Sequence, residues 1–218
     1  MRIGVLGTGT VGRTLASALL SGGHEVRLGS RTTGNEAAVA WAASIGGPAS
    51  EGTFADAAGF GEIVINATAG TASLDALALA GAELLAGKLL IDVANPLASS
   101  NDMPPTLTVC NDDSLGEQIQ RAFPEVRVVK TLNTVTAALM VQPTLVDGAH
   151  AMFVAGNDAQ AKGDVGELLQ EFGWPASSIM DLGDITAARG MEMYVALRLR
   201  LWQTAGTDVL NVEVRAGG

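Results

Sequence analysis

The opening residues, MRIGVLGTGTVG, constrain the fold more than any other stretch: a short apolar strand runs straight into Gly-x-Gly-x-x-Gly. Gly7 permits a sharp turn after residues 3–6. Gly9 removes the side chain that would keep backbone N–H groups from a pyrophosphate, and Gly12 lets the following helix lie close to the strand. Residues 11–20 supply that helix, with Leu15, Ala16, Leu19 and Leu20 on one apolar face and Gly22-Gly23 to stop it. Its positive end points at whatever the turn holds, so the turn suits the phosphates of a dinucleotide. The expected cradle is Gly7, Thr8, Gly9, Thr10, Val11 and Gly12.

The second strand, residues 25–29, ends in Ser30-Arg31. A carboxylate at this place would accept hydrogen bonds from both ribose hydroxyls of NAD and would repel a 2′-phosphate. Ser30 can instead donate a hydrogen bond, and Arg31 can offer a charge-assisted fork, with Thr8 and Thr32 or Thr33 adding hydroxyls. The expected cofactor is NADP(H).

The rest keeps a strand–helix rhythm. Helices are expected over 35–44, with Trp41 inward, and over 74–85, 115–123 and 159–172, with a single helical turn at 55–59. Strands are expected at 52–54, 62–67, 88–93, 127–132 and 150–155. The fold class is therefore α/β, a Rossmann-type doubly wound parallel sheet with a small helical C-terminal extension. Residues 1–156 would form the NADP-binding domain. Residues 157–218 would complete the sheet edge, the cleft and a dimer contact. In open parallel sheets ligands lie beyond the carboxyl ends of the strands. Thr68, Ala69, Ala94, Asn95, Pro96, Asn133 and Thr134 should thus converge on the cofactor; Thr68, Asn95, Pro96, Asn133 and Thr134 are expected to position the reacting rings, although each tip alone would serve as a helix cap or turn.

Residues 185–205 read as a long helix with Ala188, Met191, Tyr194 or Val195, Leu199 and Trp202 returning to one face. It should cover the cleft, pair with a second subunit, or both, and 209–214 reads as an edge strand. Several classes are disfavoured. With 218 residues the chain leaves little room for a second full domain, and a net charge of −10 argues against nucleic acid and anionic membrane as partners. No apolar run approaches the ~18 residues of a membrane span and Met1-Arg2 opens directly into a strand, so a cytoplasmic location is expected. Cys110 is the sole cysteine, read as a buried thiol, and with only His24 and His150 beside it no metal site is expected. Arg189, Arg198 and Arg200 form a local basic group, expected to make solvated ion pairs or to meet a polyanionic cofactor tail.

Four features together carry a family resemblance: GTGTVG, Ser30-Arg31, the segment Asp92-Val-Ala-Asn-Pro-Leu97, and the ending from Gly183-Asp184 through Ala188-Arg189-Gly190 to Leu210-Asn211. In these the chain resembles the NADPH-dependent reductases of the deazaflavin coenzyme F420. The resemblance implies hydride transfer between NADPH and the deazaflavin, with the two rings stacked in one cleft of a homodimer. It also implies a 2′-phosphate pocket of Thr8, Ser30 and Arg31. Asn133 departs from it, standing where well-known deazaflavin reductases tend to carry a His; this leaves the cofactor unaffected and the hydride acceptor open.

The scarcity of acid–base side chains bears on mechanism. A carbonyl reductase must give a proton to a developing alkoxide. Transfer between two aromatic cofactors needs mainly parallel stacking at the right distance, so no catalytic acid or base is assigned. Reduction of a small organic substrate, an imine or activated alkene, is the alternative, with Tyr194 or Lys130 as proton source; a non-catalytic NADP(H) sensor is a third reading.

Overall fold

Glycine-punctuated helices and β-branched runs build one eight-stranded sheet, seen in a computed structural model that describes residues 1–98 and 105–217. β1 (Arg2–Leu6) enters α1 (Thr10–Ser21), followed by β2 (Glu25–Ser30), α2 (Glu36–Ile45), β3 (Ala49–Thr53), α3 (Phe54–Phe60) and β4 (Ile63–Asn66). Next come α4 (Ser73–Ala80), α5 (Ala82–Leu85), β5 (Leu89–Asp92), α6 (Leu115–Ala122), β6 (Arg127–Thr131) and α7 (Ala137–Val141). β7 (Met152–Gly156), α8 (Ala159–Glu171), β8 (Ile179–Asp181) and α9 (Ala188–Ala205) complete the order.

The strands lie β3-β2-β1-β4-β5-β6-β7-β8. Six are mutually parallel, while β7 pairs antiparallel with β6 and β8 follows β7. Both faces are covered, which is why the central strands read as unbroken apolar runs. Ile63 and Ile65 pack with Val5, Leu15, Leu19 and Leu28 on one side, and Val64 packs with Leu77, Leu90 and Val128 on the other. Each such fully buried side chain contributes about 1.5–3 kcal/mol. β1 pairs with both β2 and β4, so the chain reverses direction across the sheet at this point and opens a crevice at the carboxyl ends of β1 and β4.

Several elements depart from the sequence reading. The helix expected over 74–85 breaks in two at Gly81, whose φ of 92° no ordinary helical residue adopts. β3 begins at Ala49, earlier than expected, and α3 extends over seven residues because Thr53 and Asp56 form a reciprocal capping box. The reversal of β7 and the existence of the three-residue β8 were not anticipated. Residues 209–214 form no strand. They run beside His150-Ala151, held by Ala151 N–H to the Val212 carbonyl (2.8 Å) and by the Asn211 side chain. On α9 the inward face carries Glu192 and Arg198 as well as Ala188, Met191 and Val195, whereas Trp202 is 39% exposed.

Glu192 is buried because it completes a charge network. The Lys130 ammonium, fully enclosed, donates to Asp92 (2.8 Å), to Glu192 (2.8 Å) and to the Ala94 carbonyl. Glu192 also accepts the Leu115 and Gly116 N–H groups at the start of α6 (2.9 and 3.0 Å). Asp92 accepts from Asn66 (2.8 Å), whose own oxygen receives the Thr68 hydroxyl (2.7 Å). Burial pulls the Lys130 pKa down, but the two carboxylates outweigh it and hold the value above that of an ordinary lysine. The stabilisation from this shift is therefore complete below the usual lysine range and fades only as pH climbs through the higher folded value. Lys130→Met leaves two buried carboxylates without a cation, and denaturant titration should show a loss of about 3–5 kcal/mol. A loss below 1 kcal/mol would mean that the carboxylates reprotonate or reach water.

Candidate active site

Two joined compartments occupy the crevice. The outer one, about 530 Å³, is bordered by Gly7, Thr8, Gly9, Ser30 and Arg31, and the inner one, about 230 Å³, by Val11, Ala94, Asn95, Asn133 and Arg198. Ala67, Thr68 and Ala69, leaving β4, line both.

The three glycines of the first turn divide into two kinds. At Gly7 (φ 115°) a Cβ would lie 2.5 Å from the Ala67 carbonyl oxygen, and at Gly12 it would lie 2.0 Å from that of Gly7, so strand–helix packing itself demands both. Gly9 has an ordinary extended backbone (φ −72°) and no heavy atom within 4 Å of its Cβ position. The fold does not require glycine there; a ligand approaching the main chain would. No side chain caps α1 and no acid stands in its first turn, so its leading N–H groups remain free for an anion. Arg13, which the motif reading missed, braces the turn by donating to the Thr8 carbonyl (2.6 Å).

At the end of β2, Arg31 is exposed along the outer compartment and makes no ion pair among the described residues. Ser30 is buried, and its hydroxyl donates to the Thr32 carbonyl while accepting the Thr32 N–H (3.3 Å). It shapes the turn that presents Arg31, where the sequence suggested a free donor. Among the described residues no carboxylate borders the outer compartment. The nearby acids are engaged elsewhere: Glu51 receives the Gly34 N–H (3.1 Å) and Asp56 caps α3.

Asn95 and Asn133 lock across the inner compartment. The Asn95 amide donates to the Asn133 carbonyl (2.8 Å), and the Asn133 amide donates to the Asn95 side-chain oxygen (2.9 Å) and to the Met191 carbonyl (3.0 Å). Leu132 reaches this arrangement with φ 61°, a conformation that disfavours leucine by roughly 1–3 kcal/mol and persists because the side chain is buried in the core.

Of the expected ring-positioning residues, Thr68, Asn95 and Asn133 line the inner compartment, whereas Pro96 and Thr134 lie buried behind it. Pro96 accepts Thr108 through its carbonyl (2.7 Å). Thr10 opens α1 on the outer surface. Lys130, a candidate proton source, has its three donors filled and does not border either compartment. Tyr194 is half-buried, its hydroxyl without a partner among the described residues and its pKa raised by burial, but it does not border the inner compartment. Cys110, expected to be buried, is partly exposed. The basic group at the end disperses: Arg189 pairs with Glu117, Arg200 donates to Gln203, and Arg198 turns inward. Val195 and Leu199, from the helix face expected to cover the cleft or a second subunit, and Met140, which the motif reading missed, supply apolar lining.

Comparison with known proteins bears on this geometry. Residues 2–96 match the family model described as NADP oxidoreductase coenzyme F420-dependent. A crystal structure from Arthrobacter sp. FB24, described provisionally as an F420-dependent NADP-reductase, is 51% identical with a TM-score of 0.92, covering 99% of this chain and 100% of that one. The chain belongs to this oxidoreductase family. Metalloreductase STEAP3 of Rattus norvegicus is 29% identical over 214 residues, 98% of this chain, and the chain spans 40% of that relative's length. An imine reductase from Streptomyces aurantiacus, 18% identical with a TM-score of 0.63 over 94% of this chain and 64% of that one, shares the fold. No described helix of the oxidoreductase is long and apolar enough to cross a membrane, and its described residues hold no group of three potential metal ligands.

Two substitutions separate the jobs of the outer compartment. Gly9→Ala should leave the thermal midpoint unchanged while weakening NADPH and NADH alike, at least tenfold. Arg31→Ala should weaken NADPH about ten- to a hundredfold with little effect on NADH, the span of a charged hydrogen bond. Calorimetric titration of both cofactors reads the difference, and equal losses for Arg31→Ala would assign that residue to the fold or the adenine.

Proposed function

We propose that this oxidoreductase moves a hydride between NADPH and the deazaflavin coenzyme F420. The observation that carries the reading is the chemistry of the inner compartment. Among the described residues its lining holds no Tyr, His, Lys, Asp or Glu, so no side chain is placed to protonate an alkoxide or amine. Hydride exchange between two flat rings requires no such group.

NADPH supplies the hydride, and the chain's own residues bind and aim it. The free N–H groups at the start of α1 hold the pyrophosphate, and Arg31 faces the 2′-phosphate. Thr68, Asn95 and Asn133 orient the ring end of the cofactor: Asn95 and Asn133 are tied to each other and, through Asn133, to α9, while Thr68 is held by Asn66. Val11, Met140, Val195 and Leu199 exclude water from the reacting faces. The proposal includes a cytoplasmic location and a small-molecule redox partner.

It also includes a homodimer. Leu197 (56% exposed) and Leu201 (37%) lie on the outer side of α9, Trp202 (39%) is exposed near its C-terminal end, and a second copy presents the same side chains by two-fold symmetry. Light scattering should give the mass of a dimer for the wild type and of a monomer for Trp202→Glu; a monomeric wild type would remove the dimer from the reading.

The activity is tested by mixing protein, NADPH and oxidised F420. Bleaching of the deazaflavin absorbance in step with NADPH consumption is expected, with Tyr194→Phe within about threefold of wild type. Tight NADPH binding with no bleaching would sink the proposal, and a hundredfold loss in Tyr194→Phe would transfer it to an organic substrate needing a proton donor.

A further inference from the structure

At the wall of the inner compartment Arg198 is a cation without a counter-ion among the described residues. It is 9% exposed, yet it makes no salt bridge among the described residues. Of the five N–H donors of a guanidinium, among the described residues only Nη2 is used, on the Asp208 carbonyl (3.1 Å), and the buried Nε has no partner there. The Asp208 carboxylate turns instead to Thr136 (3.1 Å). Burial pulls the Arg198 pKa down, against the smaller influences of Tyr194 and Asp208. A second polar atom on the same lining is also free among the described residues: the buried Asn133 side-chain oxygen has no partner there, and its identity as the oxygen follows from the two acceptors that the Asn133 nitrogen already serves.

A buried guanidinium with unfilled donors is unfavourable unless something brings an anion or a carbonyl edge to it. We infer that Arg198 recognises the second substrate, taking the carbonyl edge of a flat imide-bearing ring, the pyrimidinedione of a flavin or deazaflavin, with the Asn133 oxygen available to its N–H. This deepens the proposed function and rests on that reading of the compartment. Arg198 also sits where charge develops. As the nicotinamide C–H bond breaks and the new bond to hydrogen forms on the acceptor, two electrons arrive with one proton, leaving the acceptor one charge more negative and the nicotinamide one more positive. A fixed cation beside the electron-rich edge favours that product.

The shared chemistry of an anionic ring edge and a phosphorylated side chain is separated by two probes, riboflavin and FMN, which carry the same ring with a neutral or a phosphorylated tail. Each is titrated by its fluorescence into wild type, Arg198→Gln and Arg198→Lys, all loaded with unreactive NADP⁺. Arg198→Gln should weaken both probes by the same factor, about ten- to a hundredfold, and Arg198→Lys should recover most of the loss. NADP⁺ affinity should be unchanged, and the thermal midpoint of Arg198→Gln without ligand should equal or exceed that of wild type. Loss of FMN binding alone would assign Arg198 to the tail and overturn the inference. So would a wild type that binds neither probe, equal affinities in all three proteins, or a fall in midpoint together with NADP⁺ affinity. A wild type that passes these measurements yet never bleaches F420 would keep the role of Arg198 and reject the deazaflavin as substrate.

Discussion

The ammonium of Lys130 holds the working end of the molecule together. Its three protons go to Asp92 on β5, to Glu192 on α9 and to the Ala94 carbonyl, so a single buried group ties two layers and a loop of the cleft. From Asp92 the hydrogen bonds continue to Asn66 and Thr68, and from Glu192 to the first N–H groups of α6. A well-packed apolar replacement of such a network can be equally stable, so net stability does not explain it. Position does. Thr68, Ala94 and Asn133 line a compartment whose shape depends on where β4, β5, β6 and α9 end, and directional bonds specify those ends more closely than apolar contacts could.

The parts of this molecule legible in the sequence are those in which one residue type at one spacing has one physical use. Gly7, Gly9 and Gly12 are such a case, and so are the strands around Ile63–Asn66 and Leu89–Asp92, buried on both faces. The direction of β7 was not legible, because an apolar run is equally buried whichever way it points. The inward face of α9 was misread because periodicity treats charge as a mark of the solvent side, whereas Glu192 faces Lys130 and Arg198 faces the cleft. At the site, the convergence of strand ends found Asn95 and Asn133 but could not tell Asn133 from Thr134. Asn133, which follows the left-handed Leu132, lines the compartment and Thr134 does not, and nothing about a leucine announces that conformation.

The two deeply buried cations differ in how completely they are satisfied, and the difference divides structure from function. Lys130 has a full set of partners and belongs to the scaffold. Arg198, on the same helix as Glu192 and about 9 Å further along it at 1.5 Å per residue, has one weakly used donor and an open compartment before it. One stretch of α9 is thus clamped to the sheet while the next turns hold a group that would gain partners from the proposed ligand. The outer side of those same turns carries Leu197 and Leu201. If the proposed homodimer covers those side chains, a ligand that satisfies Arg198 would stiffen the covered segment, and substrate binding and dimer contact would be coupled through a single helix. By linkage the coupling runs both ways: whatever affinity the second subunit adds for the ring, the ring adds for the second subunit.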